Sequence, residues 1–418
     1  MYIDRLRIEN FRTFKKLDIK FLNPDLREGL DGSPLPRLRN VNLILGNNGA
    51  GKTSLLKCVS MAAIGPAIGD ANLPIYRLIR REGPTSDPMR SADIQAEFYP
   101  HDQDRVQGHG AIESHIRLVR PGGSEELERA EWAHPDDKRW HPIYNSDNDA
   151  FFFVGYGATR RVENPERFDA SARQMTSFRR AQRIRSLFEE SYSLVPLSAW
   201  LKAYAQENPG RFAQFKNLMN TLLAKTGYRF SGEFDGNDYL FAKGSSKVPF
   251  PALSDGYRAF IGWVGDMLFH VCQTCPRGKQ LVDNQGIVMV DEVDLHLHPK
   301  WQLTVLPTLS RALPKIQFIV TSHSPLVVGS LEWMNIILMD LGSQNRTKAE
   351  RLDWAIHGLD ADQILLTQFF GLESTRAESK AKRLKSLSIL AIGGDDDAAE
   401  ELLREMSRGS ETAHEVAR

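Results

Sequence analysis

The fold class follows from the segment 41–54, which reads Val41-Asn42-Leu43-Ile44-Leu45-Gly46-Asn47-Asn48-Gly49-Ala50-Gly51-Lys52-Thr53-Ser54. Its first five residues form a short, largely apolar run that is typical of a buried strand. The next eight match the pattern G-x-x-x-x-G-K-[ST], and a helical pattern continues from Ser54 to Ala63. A strand, a glycine-rich loop and a helix in this order predict an α/β fold that binds phosphate groups.

Each residue type in this loop has a physical reason. Glycines let backbone N–H groups face a pyrophosphate, and the helix N-terminus adds a positive dipole. Lys52 supplies a charge for the β- and γ-phosphates, and the Thr53 hydroxyl can bind Mg²⁺. The loop therefore predicts ATP and Mg²⁺ as cofactors, with these binding residues: Gly46, Asn47, Asn48, Gly49, Ala50, Gly51, Lys52, Thr53 and Ser54. A glycine turn that matches the pattern by chance is the alternative.

A second apolar run, Gly286–Val290, ends in two carboxylates, Asp291 and Glu292. We expect Asp291 to hold Mg²⁺ together with Thr53, directly or through water. We expect Glu292 to orient or deprotonate the water that attacks the γ-phosphate. An acidic helix cap after a core strand is the alternative interpretation.

Composition narrows the class of protein. The chain has 418 residues, with 53 Lys and Arg against 53 Asp and Glu, so the formal net charge of zero argues against a protein that coats polyanions. No apolar run approaches the roughly 20 residues of a membrane-spanning helix. The three cysteines are too few for a disulfide scaffold and fit a reducing compartment. We expect a cytoplasmic protein with no membrane partner.

The segment Leu253–Tyr257 reads LSDGY, and it resembles the L-S-G-G-Q signature of ABC-type ATPases in the relaxed form of RecF-like and SMC-like members. This resemblance implies that Ser254 and Gly256 meet the γ-phosphate of an ATP held by a partner subunit. The departures from the family pattern are Asp255 and Tyr257, and we expect Asp255 to point away from the phosphate. An ordinary helix cap is the alternative.

Two further segments resemble motifs of the same family in the same order. Asp294 matches the aspartate of the D-loop, although the neighbouring His296 and His298 also allow a metal pair. His323 follows an apolar strand at 317–321 and resembles the switch histidine that senses the γ-phosphate. The resemblance therefore implies a catalytic set of Glu292, His323 and Lys52.

The length and composition of the middle of the chain narrow the choice among members of this family. Between Thr53 and Leu253 lie 199 residues, too few and too rich in Pro and Gly for long coiled-coil arms, and they suit a compact helical lid of the RecF or OLD type. The predicted fold is an α/β, ABC-type P-loop ATPase head with an inserted helical lid and a helical C-terminal tail. The predicted domains are an N-terminal lobe at 1–160, an Arg-rich helical lid at 161–227, a C-terminal lobe at 228–345 and a tail at 346–418 that offers a docking surface.

An arginine-rich region opens with Gly155-Tyr156-Gly157-Ala158-Thr159-Arg160-Arg161, which is similar to a Y-G-x-x-R element of bacterial defence ATPases. Arg160 or Arg161 is expected to reach phosphate or to cross an interface, unless the segment is a surface turn. Residues 160–185 hold eight arginines against three acids, which fits either a DNA-gripping face or a solvated helical face. A Q-loop is hard to place, and Gln95 is one candidate.

The tail segment Asp362–Arg376 resembles PtuA-like ATPase subunits of bacterial anti-phage defence systems, both Septu and retron-associated. That resemblance implies an ATP-controlled switch, a homodimer or higher homo-oligomer formed through an ATP sandwich, that regulates a separate HNH-type nuclease effector. One alternative is a RecF-like DNA-repair ATPase that clamps DNA directly. An importer ATPase is a weaker alternative, because no orthodox signature or Q-loop is evident.

Overall fold

The computed structural model divides the chain into two compact units, Met1–Leu359 and Asp360–Arg418. The residues that the structure describes are 1–81, 89–108, 110–120, 128–145, 150–162, 179–342, 346–372 and 374–415. Most of the Arg-rich region, residues 163–178, lies outside this set. The predicted four-part domain division stays a prediction.

Besides its helices, the first unit contains many strands. In chain order they are β1 (Tyr2–Phe11), β2 (Phe14–Lys20), β3 (Val41–Gly46), β4 (Ser91–Tyr99), β5 (Ile112–Val119), β6 (Arg129–Trp132), β7 (Phe153–Tyr156), β8 (Arg161–Val162), β9 (Ser193–Leu194), β10 (Arg229–Phe234), β11 (Tyr239–Lys243), β12 (Ser246–Pro249), β13 (Gly286–Val290), β14 (Ile316–Thr321), β15 (Ile336–Gly342) and β16 (Arg346–Glu350).

The helices of the described residues fall into both units. In the first unit they are α1 (Lys52–Ile64), α2 (Arg179–Gln182), α3 (Leu197–Glu207), α4 (Pro209–Leu223), α5 (Asp255–Thr274), α6 (Pro299–Gln302), α7 (Val305–Ala312) and α8 (Pro325–Gly329), and in the second they are α9 (Ala361–Leu365), α10 (Glu378–Ile392) and α11 (Asp396–Glu415).

A six-stranded sheet forms the centre of the first unit, in the order β16-β15-β3-β14-β13-β7. Its strands are parallel except β16, which pairs antiparallel with β15. Strands β3, β13 and β14 are buried along their whole length. Such continuous burial is typical of parallel strands covered on both faces. The carboxyl ends of β3, β14, β13 and β7 consequently lie side by side.

A second sheet is antiparallel, in the order β2-β1-β4-β5-β6. Along β4, buried and more exposed residues alternate, so that one face of the strand packs inward. Helix α1 contacts strands of both large sheets and is buried on nearly all sides. The core therefore lies between the two sheets, and it holds rigid the helix that begins at the glycine-rich loop.

Most predicted elements are confirmed, including the α/β class and the strand at 286–290. The sequence also predicts a hairpin from two strand-like runs at 228–234 and 239–243, and β10 and β11 form it. The sequence predicts one continuous helix over 299–312, and this prediction is wrong, because α6 ends at Gln302 and α7 begins at Val305. Pro307 explains the break, since it has no N–H for the carbonyl four residues earlier and its ring clashes there. Residues 346–350, assigned by sequence to the tail, form strand β16 of the central sheet.

The second unit consists of α9, α10 and α11. Helices α10 and α11 pack on each other and are linked by ion pairs such as Arg383 with Glu401. Large apolar side chains on these two helices are exposed, namely Ile389, Leu390, Ile392, Leu403 and Met406. Across the described residues of both units, no helix combines the length and apolarity that crossing a bilayer requires.

Candidate nucleotide-binding and active site

The glycine-rich loop joins β3 to α1 at the carboxyl edge of the central sheet. Gly51 stands at the helix N-cap with a φ of 96°, which L side chains rarely adopt. A Cβ on Gly51 would also come within 2.7 Å of Thr13 Oγ1 and of the Phe14 ring. Residues 47–49 are exposed, and Thr347 Oγ1 donates to the carbonyl of Ala50 at 3.0 Å. The loop thus packs against Thr13, Phe14 and Thr347, while residues 47–49 are exposed.

Lys52 is held against this loop. Its Nζ donates to the carbonyl oxygens of Gly46 at 2.8 Å and Asn47 at 3.1 Å. Burial lowers the pKa of Lys52, and the carboxylates of Asp291, Glu292 and Asp294 oppose that shift. The ammonium group is therefore within the electrostatic influence of three acids, at the position where the sequence predicts phosphate.

Thr53 and Asp291 are 238 positions apart in the chain and meet at this edge. Thr53 Oγ1 donates to Asp291 Oδ2 at 2.7 Å, and the backbone N–H of Asp291 donates to Tyr156 O at 2.8 Å. A hydroxyl and a carboxylate are the hard oxygen ligands that Mg²⁺ prefers. The described residues contain no group of three or more His, Cys, Asp or Glu side chains suited to a metal. The donor set therefore fits Mg²⁺, which usually takes one or two protein ligands and completes its shell with phosphates and water.

The sequence reasoning missed Thr321, the last residue of β14. Its Oγ1 donates to Asp291 Oδ1 at 2.6 Å and accepts from the backbone N–H of Glu292 at 2.7 Å. Thr321 is fully buried. A hydroxyl residue at the end of an apolar strand, two positions before His323, was the available signal.

Glu292 has an unusual backbone. Its φ of 47° lies in the left-handed region, which is uncommon for residues other than glycine, asparagine and aspartate. Arg160 Nη2 donates to its carbonyl oxygen at 2.7 Å. Arg160 is only 7% exposed, so the surface-turn alternative is wrong for this arginine, whereas Arg161 is exposed. Burial lowers the pKa of Arg160 to about 10, against the opposing effect of Asp291 and its neighbours.

The signature-like segment lies at the start of α5. Ser254 occupies the N-cap position, but its hydroxyl makes no capping hydrogen bond. The Asp255 side chain is exposed and pairs with Arg258. Gly256 is tightly packed, because a Cβ there would lie 2.6 Å from the carbonyl oxygen of His296. The segment after Glu292 thus packs directly on the start of α5.

His323 and Asp294 lie near the same carboxyl edge. Burial and the Lys52 charge lower the pKa of His323, while Asp294, Glu292 and Asp291 oppose the shift. A lowered pKa keeps this imidazole neutral at pH 7. Within the described residues, the buried Oδ1 of Asp294 has no hydrogen-bond partner.

The two other histidines of this segment have backbone roles. His298 caps α6, since its side chain accepts from the N–H of Lys300 at 3.3 Å. His296 adopts a φ of 64°.

The arginine-rich region contributes less surface charge than its composition implies. Arg180 is buried and donates to the backbone carbonyls of Asn145 and Ala150. With Arg160 also buried, two of the eight arginines are unavailable to a DNA backbone, and Arg167 and Arg173 lie outside the described residues. Gln95 lies in the middle of β4 on the antiparallel sheet, between Arg7 and His115.

A family of known proteins matches the region of the chain that carries this site. Residues 41–329 match the family described as "AAA domain, putative AbiEii toxin, Type IV TA system". This range begins at the strand before the glycine-rich loop and ends with α8, just after His323. The match therefore includes every predicted site residue.

Two relatives and one solved structure place the match in context. An SMC head bound to the C-winged helix domain of ScpA has 14% identity over 84% of this chain and 98% of that chain, with a TM-score of 0.49. The Septu protein PtuA of Bacillus mycoides is 24% identical over 90% of this chain and 45% of its own length. The retron Ec83 probable ATPase of Escherichia coli is 28% identical over 41% of this chain and 34% of its own length. The chain spans less than half the length of these curated relatives.

Proposed function

Because the chain belongs to this AAA-domain family and is an ATPase of the ABC/AAA type related to PtuA and retron ATPases, we propose that it hydrolyses ATP to ADP and phosphate as a dimerising switch. Two copies would enclose two ATP molecules, each between one subunit's glycine-rich loop and the other's Ser254–Gly256 segment. The switch would regulate a separate nuclease effector in anti-phage defence.

One observation carries the proposal. A continuous chain of hydrogen bonds runs from Thr53 through Asp291 and Thr321 to the backbone of Glu292. It links the end of the phosphate loop to the candidate general base, and it lies beside the Lys52 ammonium group. A generic acidic cap after a core strand would not require a buried threonine between two carboxylate-bearing residues.

Each residue of the site has a proposed role in ATP hydrolysis. Lys52 would leave the carbonyls of Gly46 and Asn47 and bind the β- and γ-phosphates of ATP. Thr53 and Asp291 would hold Mg²⁺, which neutralises charge that builds up on the phosphates. Glu292 would orient a water molecule and accept its proton as the water oxygen attacks the γ-phosphorus in line. The bond from that phosphorus to the bridging oxygen breaks, and ADP leaves. The neutral His323 would donate a hydrogen bond to the γ-phosphate.

Two exposed segments of the subunit support the proposal that it dimerises. Residues 47–49 of the loop are exposed, and the exposed Asp255 marks the start of the twenty-residue helix α5 at the surface. Helix N-termini attract anions. A second subunit would supply this helix start to the γ-phosphate.

The nuclease partner rests on relatedness alone. The chain aligns along most of its length with the Septu protein PtuA. The HNH-type effector follows only from the resemblance of the tail segment to PtuA-like subunits. Purification of the native complex with mass determination would test this part. An HNH nuclease that copurifies supports the proposal, and DNA alone would favour the RecF-like alternative.

The ATPase itself is tested with two variants and a matched control. Lys52→Ala should abolish nucleotide binding, because the phosphates lose their positive charge. Glu292→Gln should retain ATP, accumulate as a dimer in light scattering and lose turnover, because an amide cannot accept the proton. Glu233→Gln, an exposed glutamate on β10 paired with Lys247, should behave as wild type. Normal turnover of Glu292→Gln would contradict the assignment of the base, and unchanged affinity of Lys52→Ala would contradict the site.

A further inference from the structure

The backbone of Glu292 is clamped on both sides. Its N–H donates to Thr321 Oγ1 at 2.7 Å, and its carbonyl oxygen accepts from Arg160 Nη2 at 2.7 Å and from the Leu295 N–H at 3.0 Å. The residue between these contacts has a φ of 47°. A left-handed glutamate is strained and persists only where its surroundings over-determine it. The direction of the Glu292 side chain therefore depends on these three contacts, among which Arg160 supplies the charged donor.

Arg160 is itself held in place. It follows β7, whose Tyr156 pairs with Val290 at the end of β13. The Tyr156 hydroxyl donates to the buried Asp266 at 2.8 Å. The Arg160 guanidinium lies over the Trp263 ring of α5 at 5.9 Å. Residues of β7 and α5 thus fix the guanidinium before any nucleotide binds.

The Arg160 guanidinium donates a hydrogen bond through Nη2 to the backbone carbonyl of Glu292. Its Nη1 is buried and has no hydrogen-bond partner among the described residues. Leaving a buried donor unpaired is unfavourable. A surface or solvated role would not place this group where water has no access, and the hydrogen bond that it makes within the described residues runs from Nη2 to the Glu292 carbonyl.

We propose that Arg160 is a positioning residue for the ATPase reaction, which holds Glu292 in its left-handed conformation and so aims the carboxylate at the attacking water. The inference rests on the proposed function, since it assumes that Glu292 handles that water. It differs from the sequence-based expectation that this arginine reaches phosphate or crosses an interface. A positioning role affects the chemical step and leaves nucleotide affinity unchanged.

The test uses the full chain with Arg160→Met, which keeps the apolar stem, and Arg160→Lys, which keeps a donor. Arg129→Met is the control, because Arg129 lies on β6 with its side chain 71% exposed. For Arg160→Met we expect kcat to fall by about tenfold to a hundredfold, with the Kd of a non-hydrolysable ATP analogue within about twofold of wild type. Arg160→Lys should recover part of kcat, and Arg129→Met should match wild type.

An unchanged kcat in Arg160→Met would overturn the proposal. A Kd that rises in parallel with the loss of kcat would also overturn it, because Arg160 would then bind phosphate directly. If Arg160→Met fails to fold, Arg160→Lys carries the same comparison. If wild type shows no turnover, the proposed function fails, and a crystal structure of Arg160→Lys or Arg160→Met still decides the positioning role. A residue 292 that keeps its positive φ without the arginine contact would refute the clamp.

Discussion

Replacing Thr321 by valine removes one hydroxyl and nearly nothing else, since the two side chains have the same shape. Thr321 Oγ1 donates to the Asp291 carboxylate at 2.6 Å and accepts from the Glu292 N–H at 2.7 Å, in a fully buried position. A hydrogen bond to a charged group contributes about 1.5–3 kcal/mol, and one between neutral groups about 1 kcal/mol. We therefore expect Thr321→Val to lower the free energy of unfolding by about 3 kcal/mol.

The same change should weaken the metal site, because among the described residues the Asp291 carboxylate would then accept a hydrogen bond only from Thr53. Loss of a partner that orients a metal ligand typically costs about tenfold to a hundredfold in metal affinity or activity. Urea unfolding measures the stability, and ATPase activity against Mg²⁺ concentration measures the apparent affinity for the metal.

Thr226→Val is the matched control for Thr321→Val. Thr226 is also buried, and its hydroxyl donates to Leu223 O at 2.8 Å and accepts from the Tyr228 N–H at 3.1 Å. Both partners are neutral, so we expect a smaller loss, about 1–2 kcal/mol, and normal Mg²⁺ dependence. If Thr321→Val costs no more than Thr226→Val and leaves the Mg²⁺ titration unchanged, the hydrogen-bond chain has no role in the site.

Three further changes test other parts of the molecule. Gly256→Ala should lower the free energy of unfolding in urea by about 1–3 kcal/mol and weaken ATP-dependent dimerisation, because its Cβ would meet the His296 carbonyl. The control is Gly210→Ala, which should be neutral or stabilising because a Cβ there meets nothing within 4 Å. Asp266→Ala should lower the free energy of unfolding by about 3–5 kcal/mol, because it leaves the Tyr156 hydroxyl and the Val195 N–H unpaired. A loss below about 1 kcal/mol would show that water replaces the carboxylate. The pKa of His101 is lowered from 6.5 to about 3, mainly by burial and next by the charge of the Met1 ammonium group. The unfolded chain therefore takes up a proton that the folded chain excludes, and stability should fall by about 2 kcal/mol between about pH 6.5 and about pH 5. His101→Gln should reduce this dependence, and an equal slope in both proteins would assign it to other groups.

Much of the fold could be predicted because its signals are local. The strand at Gly286–Val290 and the helix after Lys52 follow from apolar runs and from the residues that begin and end them. Strand β16 was missed, since Arg346–Glu350 carries too few apolar residues for periodicity to reveal it. Its place in the sheet comes from pairing with β15, a contact that no pattern within the segment encodes.

The phosphate loop and the order of the motifs can be read from the chain, because backbone conformation near glycines, strands and helix starts is set by neighbouring residues. The grouping of distant side chains depends on the tertiary fold. Strand β14 lies between β3 and β13, and this order brings Thr321 to Asp291, and Asp291 to Thr53. Burial of Arg160 behind Glu292 likewise depends on β7 lying next to β13. Strand order is a property of how sheets and helices pack, and residues 30 to 238 positions apart carry no local trace of it.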